Sequence, residues 1–381
     1  MRYPPRRFKI GRNPHDQSPV LFILRYFGVI ILAARARFGK TSFLMNLIVK
    51  ISKMLFGRKI IIFDFKGAWA KGITKFNWES KAPSRVKNYF VLKNFAFRIS
   101  DFNQIEDWNS LGLTEKTASL IRDLAIEKEL HHDDPKLFLK ILDQLPTSLD
   151  EVDGFNSTYC VGCPNFALSS KVHESIQASA AGQFRSIKSW FLDEKNPNEK
   201  RNYVSKSDWY ALLKRYDVII IEFDMQNIEQ LKKARAEAGK VLEMLASESK
   251  NTHQSYLQIF SPIIVLEEAD KLCPNLPEGM VMPSSLVQCV NYATKYQREG
   301  VVMFFISQST KQISKHITDH AHNYILGKLP FDDPMNKFLE ARGIFDLYWN
   351  YDKNDRLLIY IDLDGRIRIF RPDLAVCNVE D

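Results

Sequence analysis

The segment Ala34-Arg35-Ala36-Arg37-Phe38-Gly39-Lys40-Thr41 holds the residue types that a phosphate-binding loop needs. Backbone N–H groups of such a turn, and of the helix it opens, converge on phosphate oxygens. Lys40 is spaced to reach β- and γ-phosphates, and the Thr41 hydroxyl to hold Mg2+. Gly39 lets backbone approach a ligand where a Cβ would collide. The first position of the pattern, ordinarily glycine, is Ala34, which keeps the loop small but accepts a tight turn less readily.

A second chemical cluster follows the apolar run Pro262-Ile263-Ile264-Val265-Leu266, which ends in Glu267-Glu268-Ala269-Asp270. Two adjacent carboxylates at the tip of a buried strand can share the work of splitting a phosphoanhydride. The first, Glu267, holds water on Mg2+, and the second, Glu268, orients and polarises the attacking water. A third run, Val301-Val302-Met303-Phe304-Phe305-Ile306-Ser307, delivers Gln308 at its tip. An amide there can contact the γ-phosphate or the attacking water, or simply cap its own loop.

These groups need a scaffold that brings strand ends together. Val29-Ile30-Ile31-Leu32 leads into the loop, and Ser42 to Leu47 leaves it with helical spacing, so the loop sits between strand and helix. Pro19 to Ala34 reads as two short buried strands, because Arg25 interrupts it. Lys59 to Asp64 and Val218 to Asp224 are further buried-strand runs ending in carboxylates, the first followed by Phe65-Lys66-Gly67. Helices are expected over about residues 41–56, 228–249 and 284–298. Leu357 to Ile361 and Ile367 to Phe370 flank Asp364-Gly365 as a hairpin that closes the sheet. The middle of the chain differs: residues 100–207 are polar and helix-forming, with amphipathic stretches from Leu120 to Leu130 and Phe138 to Leu145. The fold class is α/β, a P-loop core of residues 1–99 and 208–381 with a mainly parallel sheet flanked by helices, interrupted by a mainly helical insertion over 100–207.

With 381 residues, 45% of them apolar, the chain can bury a full core. No run is long and uncharged enough to cross a membrane, and Met1 to Arg7 does not continue into a signal-peptide core, so a cytoplasmic protein is expected. The net charge of +8 favours a polyanionic partner. Five cysteines in a chain of this size do not describe a disulfide scaffold, so reduced thiols are expected.

The order of these motifs resembles that of the HerA/FtsK superfamily of DNA-pumping ATPases: the phosphate loop, Ile62-Phe63-Asp64-Phe65-Lys66-Gly67, Ile220-Ile221-Glu222-Phe223-Asp224, Leu266 to Asp270, and Tyr296-Gln297-Arg298-Glu299-Gly300 leading to Ile306-Ser307-Gln308-Ser309-Thr310. The superfamily includes conjugative coupling proteins, type IV secretion ATPases and viral genome-packaging ATPases. The resemblance covers about two thirds of the chain. It implies a RecA-like core, ATP and Mg2+ as cofactors, a homo-hexameric ring, and movement of double-stranded DNA, with partner proteins of conjugation or virion assembly. It implies nucleotide contacts from Gly39, Lys40, Thr41 and Ser42 in the loop that Ala34 opens, metal duty for Thr41 and Glu267, catalysis by Glu268 with Lys40, and sensing by Gln308. Arg298 stands where relatives carry basic residues at the subunit boundary, either as an arginine finger or as a surface residue. A protein-moving secretion or pilus ATPase, and a nucleotide-gated scaffold with little turnover, are the alternatives.

The chain departs from the pattern at Ala34, at Glu267 in place of aspartate, and at Ala68, where many relatives carry glutamate. The last departure leaves the roles of Asp64 and Lys66 open. Cys160 and Cys163 have zinc-ligand spacing without a second cysteine pair, and reduced thiols in a loop are the simpler account. His316 and His320 would share one face of a helix. The basic cluster Arg2, Arg6, Arg7, Lys9 and Arg12 is either a DNA contact or a solvated tail. Lys311 and Lys315, just past the Gln308 strand, are placed to link hydrolysis to a pore loop.

Overall fold

Continuous apolar runs build the centre of the sheet, as expected where helices cover both faces of parallel strands. In the computed structural model, residues 6–25, 27–54, 58–69, 88–93, 190, 206–223, 227–247, 254–280, 282–345 and 357–372 are described. The strands are β1 (Arg6–Arg12), β2 (Pro19–Leu24), β3 (Gly28–Ala33), β4 (Ile60–Asp64), β5 (Tyr89–Leu92), β6 (Val218–Glu222), β7 (Ile263–Leu266), β8 (Val302–Ser307), β9 (Asn323–Leu326), β10 (Leu358–Ile361) and β11 (Ile367–Pro372). The described helices are α1 (Lys40–Met54), α2 (Lys206–Arg215), α3 (Ile228–Ala246), α4 (Tyr256–Phe260), α5 (Ala269–Leu272), α6 (Ser284–Thr294), α7 (Lys315–Thr318) and α8 (Pro334–Ala341). Among the described residues no helix is long and apolar enough to cross a membrane.

Among the described residues, eleven strands join one sheet in the order β2-β1-β11-β10-β9-β3-β8-β7-β4-β6-β5. From β9 to β5 every pairing is parallel, and from β9 outward to β2 every pairing is antiparallel. Every residue of β3, β4, β7 and β8 is buried. The helix α1 buries Phe43, Leu44, Met45, Leu47, Ile48 and Ile51 in the same core. Those positions recur at three- and four-residue intervals, the apolar stripe of a helix packed on one side.

The antiparallel end does not continue the plane of the sheet. Six pairings separate β2 from β8, which would put them about 29 Å apart in a flat sheet. Yet the ring of Phe22 on β2 lies 6.4 Å from Phe304 on β8 and 5.5 Å from Tyr360 on β10, centroid to centroid. The strands therefore curl back over one face of the parallel half. Two polar links fasten the curl: the Ile23 N–H donates to the Tyr360 hydroxyl at 3.2 Å, and that hydroxyl donates to Asn323 Oδ1 at 2.9 Å. Phe43 of α1 meets Phe370 of β11 beneath it, 6.0 Å between centroids.

Two expectations change here. The basic segment from Arg6 to Arg12 is not a solvated tail: it is β1, paired with β2 and β11, with Phe8 and Ile10 buried while Arg6, Arg7 and Arg12 face solvent. The hairpin of β10 and β11, turned at Asp364-Gly365 with Gly365 at φ 73°, does not close the sheet, because β1 and β2 add two more strands beyond it. The run from Pro19 does split into β2 and β3, as Arg25 implied.

The chain divides into two compact units, residues 1–93 with 204–225 and 238–381, and residues 94–203 with 226–237. The insertion expected over 100–207 lies almost wholly outside the described residues, as do Cys160, Cys163, Arg2 and Cys377. Cys273 and Cys289 are buried cysteines.

Candidate functional site

Parallel strands all end on the same edge, so residues that follow them arrive together. Register fixes their order. Ala33 on β3 pairs with Ser307 on β8, Phe305 on β8 pairs with Leu266 on β7, and Leu266 pairs with Phe63 on β4. Along one edge therefore come the phosphate loop, Gln308, the tandem glutamates and Asp64. The sequence separates these groups by up to 274 positions, from Ala34 to Gln308, and the sheet makes them neighbours.

The loop runs from buried Ala34 through exposed Arg35, Ala36 and Arg37 to buried Gly39 at φ 76°. Lys40 opens α1, and its ammonium donates to the carbonyls of Ala34 at 2.6 Å and Arg35 at 2.9 Å, which holds it inside the loop. Ser42 is buried on the first turn of α1. The left-handed residues of the loop are Arg37 and Gly39, and Ala34 is not among them, so the missing first glycine costs no backbone strain. Space for its methyl comes from Gly327, just past β9. A Cβ built on Gly327 would lie 2.5 Å from the Ala34 Cβ and 2.5 Å from the Phe38 ring. The small residue at this close approach is Gly327. Hydrogen bonds from Gly327 N to Ala33 O at 2.8 Å and from Arg35 N to Lys328 O at 2.8 Å tie the loop to that strand.

The Thr41 hydroxyl donates to Glu267 Oε1 at 2.6 Å. Glu267 is 2% exposed, and its Oε2 is buried without a hydrogen-bond partner among the described residues. Burial first, and then the adjacent Asp64 carboxylate, push the Glu267 carboxyl from 4.5 up to about 8, against the opposing pull of Thr41. A hydroxyl and a buried carboxylate with an oxygen to spare are the hard donors that Mg2+ takes, so this pair fits the ion. The glutamate that stands in place of aspartate thus reaches Thr41 from the end of β7.

Glu268 begins α5 in the left-handed region, φ 50° and ψ 49°. For a residue with a Cβ this is a strained conformation, a feature that clusters at functional sites. Its Oε1 forms an ion pair with Lys66 Nζ at 2.5 Å. Lys66 belongs to a turn built by Asp64, which is fully buried and accepts from the N–H of Lys66 at 3.1 Å and of Trp69 at 2.9 Å. Gly67, at φ 62°, completes that turn.

Gln308 is half-buried between two carboxylate anchors. On one side Ser307 Oγ donates to Asp270 Oδ1 at 3.0 Å. On the other, Asp333 accepts from Ser309 Oγ at 2.6 Å, Thr310 N at 2.7 Å and Thr310 Oγ1 at 2.5 Å, and caps α8 through Met335 N at 3.0 Å. The loop carrying Gln308 thus bridges the glutamate helix and the segment after β9. Burial and the nearby Glu268 raise the Asp270 carboxyl above its ordinary value. Sequence reasoning passed over Asp270 and Asp333. Asp333-Pro334 is legible as a helix start, but its bonds to residues 23 and 24 positions earlier are not.

Other expected residues stand apart from this cluster or beyond description. Arg298 lies in the turn Tyr296–Glu299 just before β8, and its side chain is outside the described residues. Lys311 pairs with Asp332 at 2.6 Å on the surface, and Lys315 opens α7. That helix ends at Thr318, so His316 and His320 do not share a helical face. His322 instead packs under β3, where its Nδ1 accepts from the Val29 N–H at 3.1 Å, and burial lowers its affinity for a proton.

No family profile and no curated protein matches the chain. Solved structures do. The plasmid coupling protein TrwB in complex with the non-hydrolysable ATP analogue ADPNP aligns over 91% of this chain and 85% of its own at 13% identity, with a TM-score of 0.60. VirB4 of Thermoanaerobacter pseudethanolicus covers 96% of each chain at 14% identity and a TM-score of 0.49. The genome packaging NTPase B204 from Sulfolobus turreted icosahedral virus 2, in complex with ATP-gammaS, covers 92% of this chain and 99% of its own at 8% identity and a TM-score of 0.40. The fold is that of the RecA-like P-loop ATPases, with one large, mostly parallel sheet flanked by helices.

Proposed function

We propose that the protein is an ATP-hydrolysing motor that translocates or packages double-stranded DNA, working as a homo-hexameric ring. The observation that carries this reading is the meeting of Thr41 and Glu267 at 2.6 Å beside Lys40, with Glu268 and Gln308 on the same sheet edge. Backbone N–H groups from Gly39 to Ser42 hold the phosphates and Lys40 carries charge to them. Thr41 and Glu267 hold Mg2+, which when bound neutralises phosphate charge and templates the in-line geometry. Glu268 orients and polarises the attacking water, and Gln308 senses the γ-phosphate end. Because the Gln308 loop is anchored to both Asp270 and Asp333, a change at the phosphate is transmitted to both flanking segments. Arg298 as a finger toward a neighbouring subunit rests on its place in the sequence.

The DNA substrate draws support from the motif resemblance, from the charge of +8, and from the fold shared with a plasmid coupling protein. No sequence-reading element is needed for a motor that grips phosphates. Use of ATP fits a cytoplasmic protein.

The test is the steady-state ATPase rate with and without duplex DNA. A DNA motor hydrolyses ATP and is stimulated by the duplex. Hydrolysis indifferent to DNA would instead favour a protein-moving ATPase, and tight ATP binding without turnover a nucleotide-gated scaffold.

A further inference from the structure

The sequence leaves Lys66 without a role, and its motif partner glutamate is replaced by Ala68. Its position is nonetheless tightly specified. The backbone of Lys66 is pinned by a carboxylate that accepts both its own N–H and that of Trp69, whose side chain is fully buried. Gly67 follows in a left-handed conformation, and a Cβ there would sit 3.2 Å from the Glu222 carboxylate, so the turn is packed down on β6. The turn after β4 therefore brings one ammonium to Glu268, just past the end of β7.

Glu268 needs such a partner. Its side chain makes no capping hydrogen bond to the helix it begins, and its backbone is held in the left-handed region. A carboxylate on a stem with freely turning bonds loses rotational entropy whenever it is fixed for reaction. Prior fixing by an ion pair lowers that cost, which is how positioning contributes to rate. The pair contributes little to stability: Lys66 is 53% exposed and Glu268 11% exposed, and ion pairs at such mouths hold folds together weakly.

We propose that Lys66 is a positioning residue for ATP hydrolysis, its ammonium fixing one oxygen of the Glu268 carboxylate so that the other faces the attacking water. This rests on the ATPase reading above and deepens it. The β4 turn then serves both glutamates, with Asp64 beside Glu267 and Lys66 bound to Glu268.

The experiment compares steady-state ATP hydrolysis by the full chain with that of Lys66→Ala and Lys66→Arg. Loss of an interaction that acts on the chemical step lowers kcat with little change in KM, so Lys66→Ala is expected to reduce kcat by about tenfold and KM by less than about twofold in either direction. Lys66→Arg keeps the charge and reach, and returns kcat to within about threefold of the parent. Melting temperatures stay level across the three. An active parent with Lys66→Ala at the parental kcat overturns the proposal, as does a variant in which only KM moves or in which arginine gives no recovery. A parent with no ATPase activity overturns the enclosing reading as well, so the two failures are distinguishable.

Discussion

The two halves of the sheet use the same strand physics to opposite ends. In the parallel half, from β9 to β5, every strand points the same way, so the loop after β3, the glutamates after β7, Asp64 on β4 and Gln308 after β8 crowd one edge. In the antiparallel half, from β10 to β2, neighbouring strands end on opposite edges, so the residues that follow them divide between the two edges. That half contributes bulk instead, with Phe8, Phe22, Tyr360 and Phe370 buried against the parallel strands and α1. Chemistry follows strand direction, and stability follows area.

The contrast is open to direct attack. The largest stability effect belongs to the antiparallel half: Phe22→Ala removes a fully buried ring that joins β2 to β8 and β10, and is expected to cost about 4 kcal/mol. Urea unfolding measures that loss, while kcat below the melting transition stays at the parental value. A fall in kcat matching the fall in stability would show that the curl does more than pack.

A smaller loss with a different signature belongs to Gly327→Ala. The added methyl meets Ala34 and Phe38 at 2.5 Å, and overpacking of this kind costs about 2 kcal/mol. Here the strain falls on the phosphate loop, so ATP affinity drops as well, read by titration calorimetry. The double variant Ala34→Gly, Gly327→Ala should recover part of that affinity, because it removes the contact with the Ala34 methyl while the one with the Phe38 ring remains.

The smallest effect is one of pH. Glu267 binds its proton more tightly in the folded chain, near 8, than at its ordinary 4.5, so it stabilises the nucleotide-free protein below 4.5 and the contribution is lost as pH rises through about 8. Between about pH 6 and about pH 9 the melting temperature of the parent should fall more steeply than that of Glu267→Gln, which has no proton to lose. Parallel curves would mean that the carboxyl is already ionised across the range.

How much of this was legible in the sequence follows the same division. The strands β3, β4, β7 and β8 are readable because burial on both faces leaves unbroken apolar runs, and the loop and tandem glutamates are readable because their spacing is local. The strand β1 is not: Arg6-Arg7-Phe8-Lys9-Ile10-Gly11-Arg12 has only two deeply buried apolar side chains, Phe8 and Ile10, and its charges look like a tail. What makes it a strand is pairing with β2 and with β11, about 360 positions away, where Arg12 faces Arg371. The compensation of Ala34 by Gly327 and the anchoring of the Gln308 loop by Asp333 are likewise contacts between distant segments. A glycine after an apolar strand, or an aspartate before a proline, marks local structure and gives no hint of which loop it will meet.

The most direct test of the central claim is a paired measurement of ATP binding and hydrolysis on the parent and on Glu268→Gln. The account predicts that both bind ATP with similar affinity while the variant loses turnover by about a thousandfold, since a positioned carboxylate acting on water contributes that order of rate. A variant that hydrolyses ATP at the parental rate would contradict it, and so would a parent that binds no nucleotide.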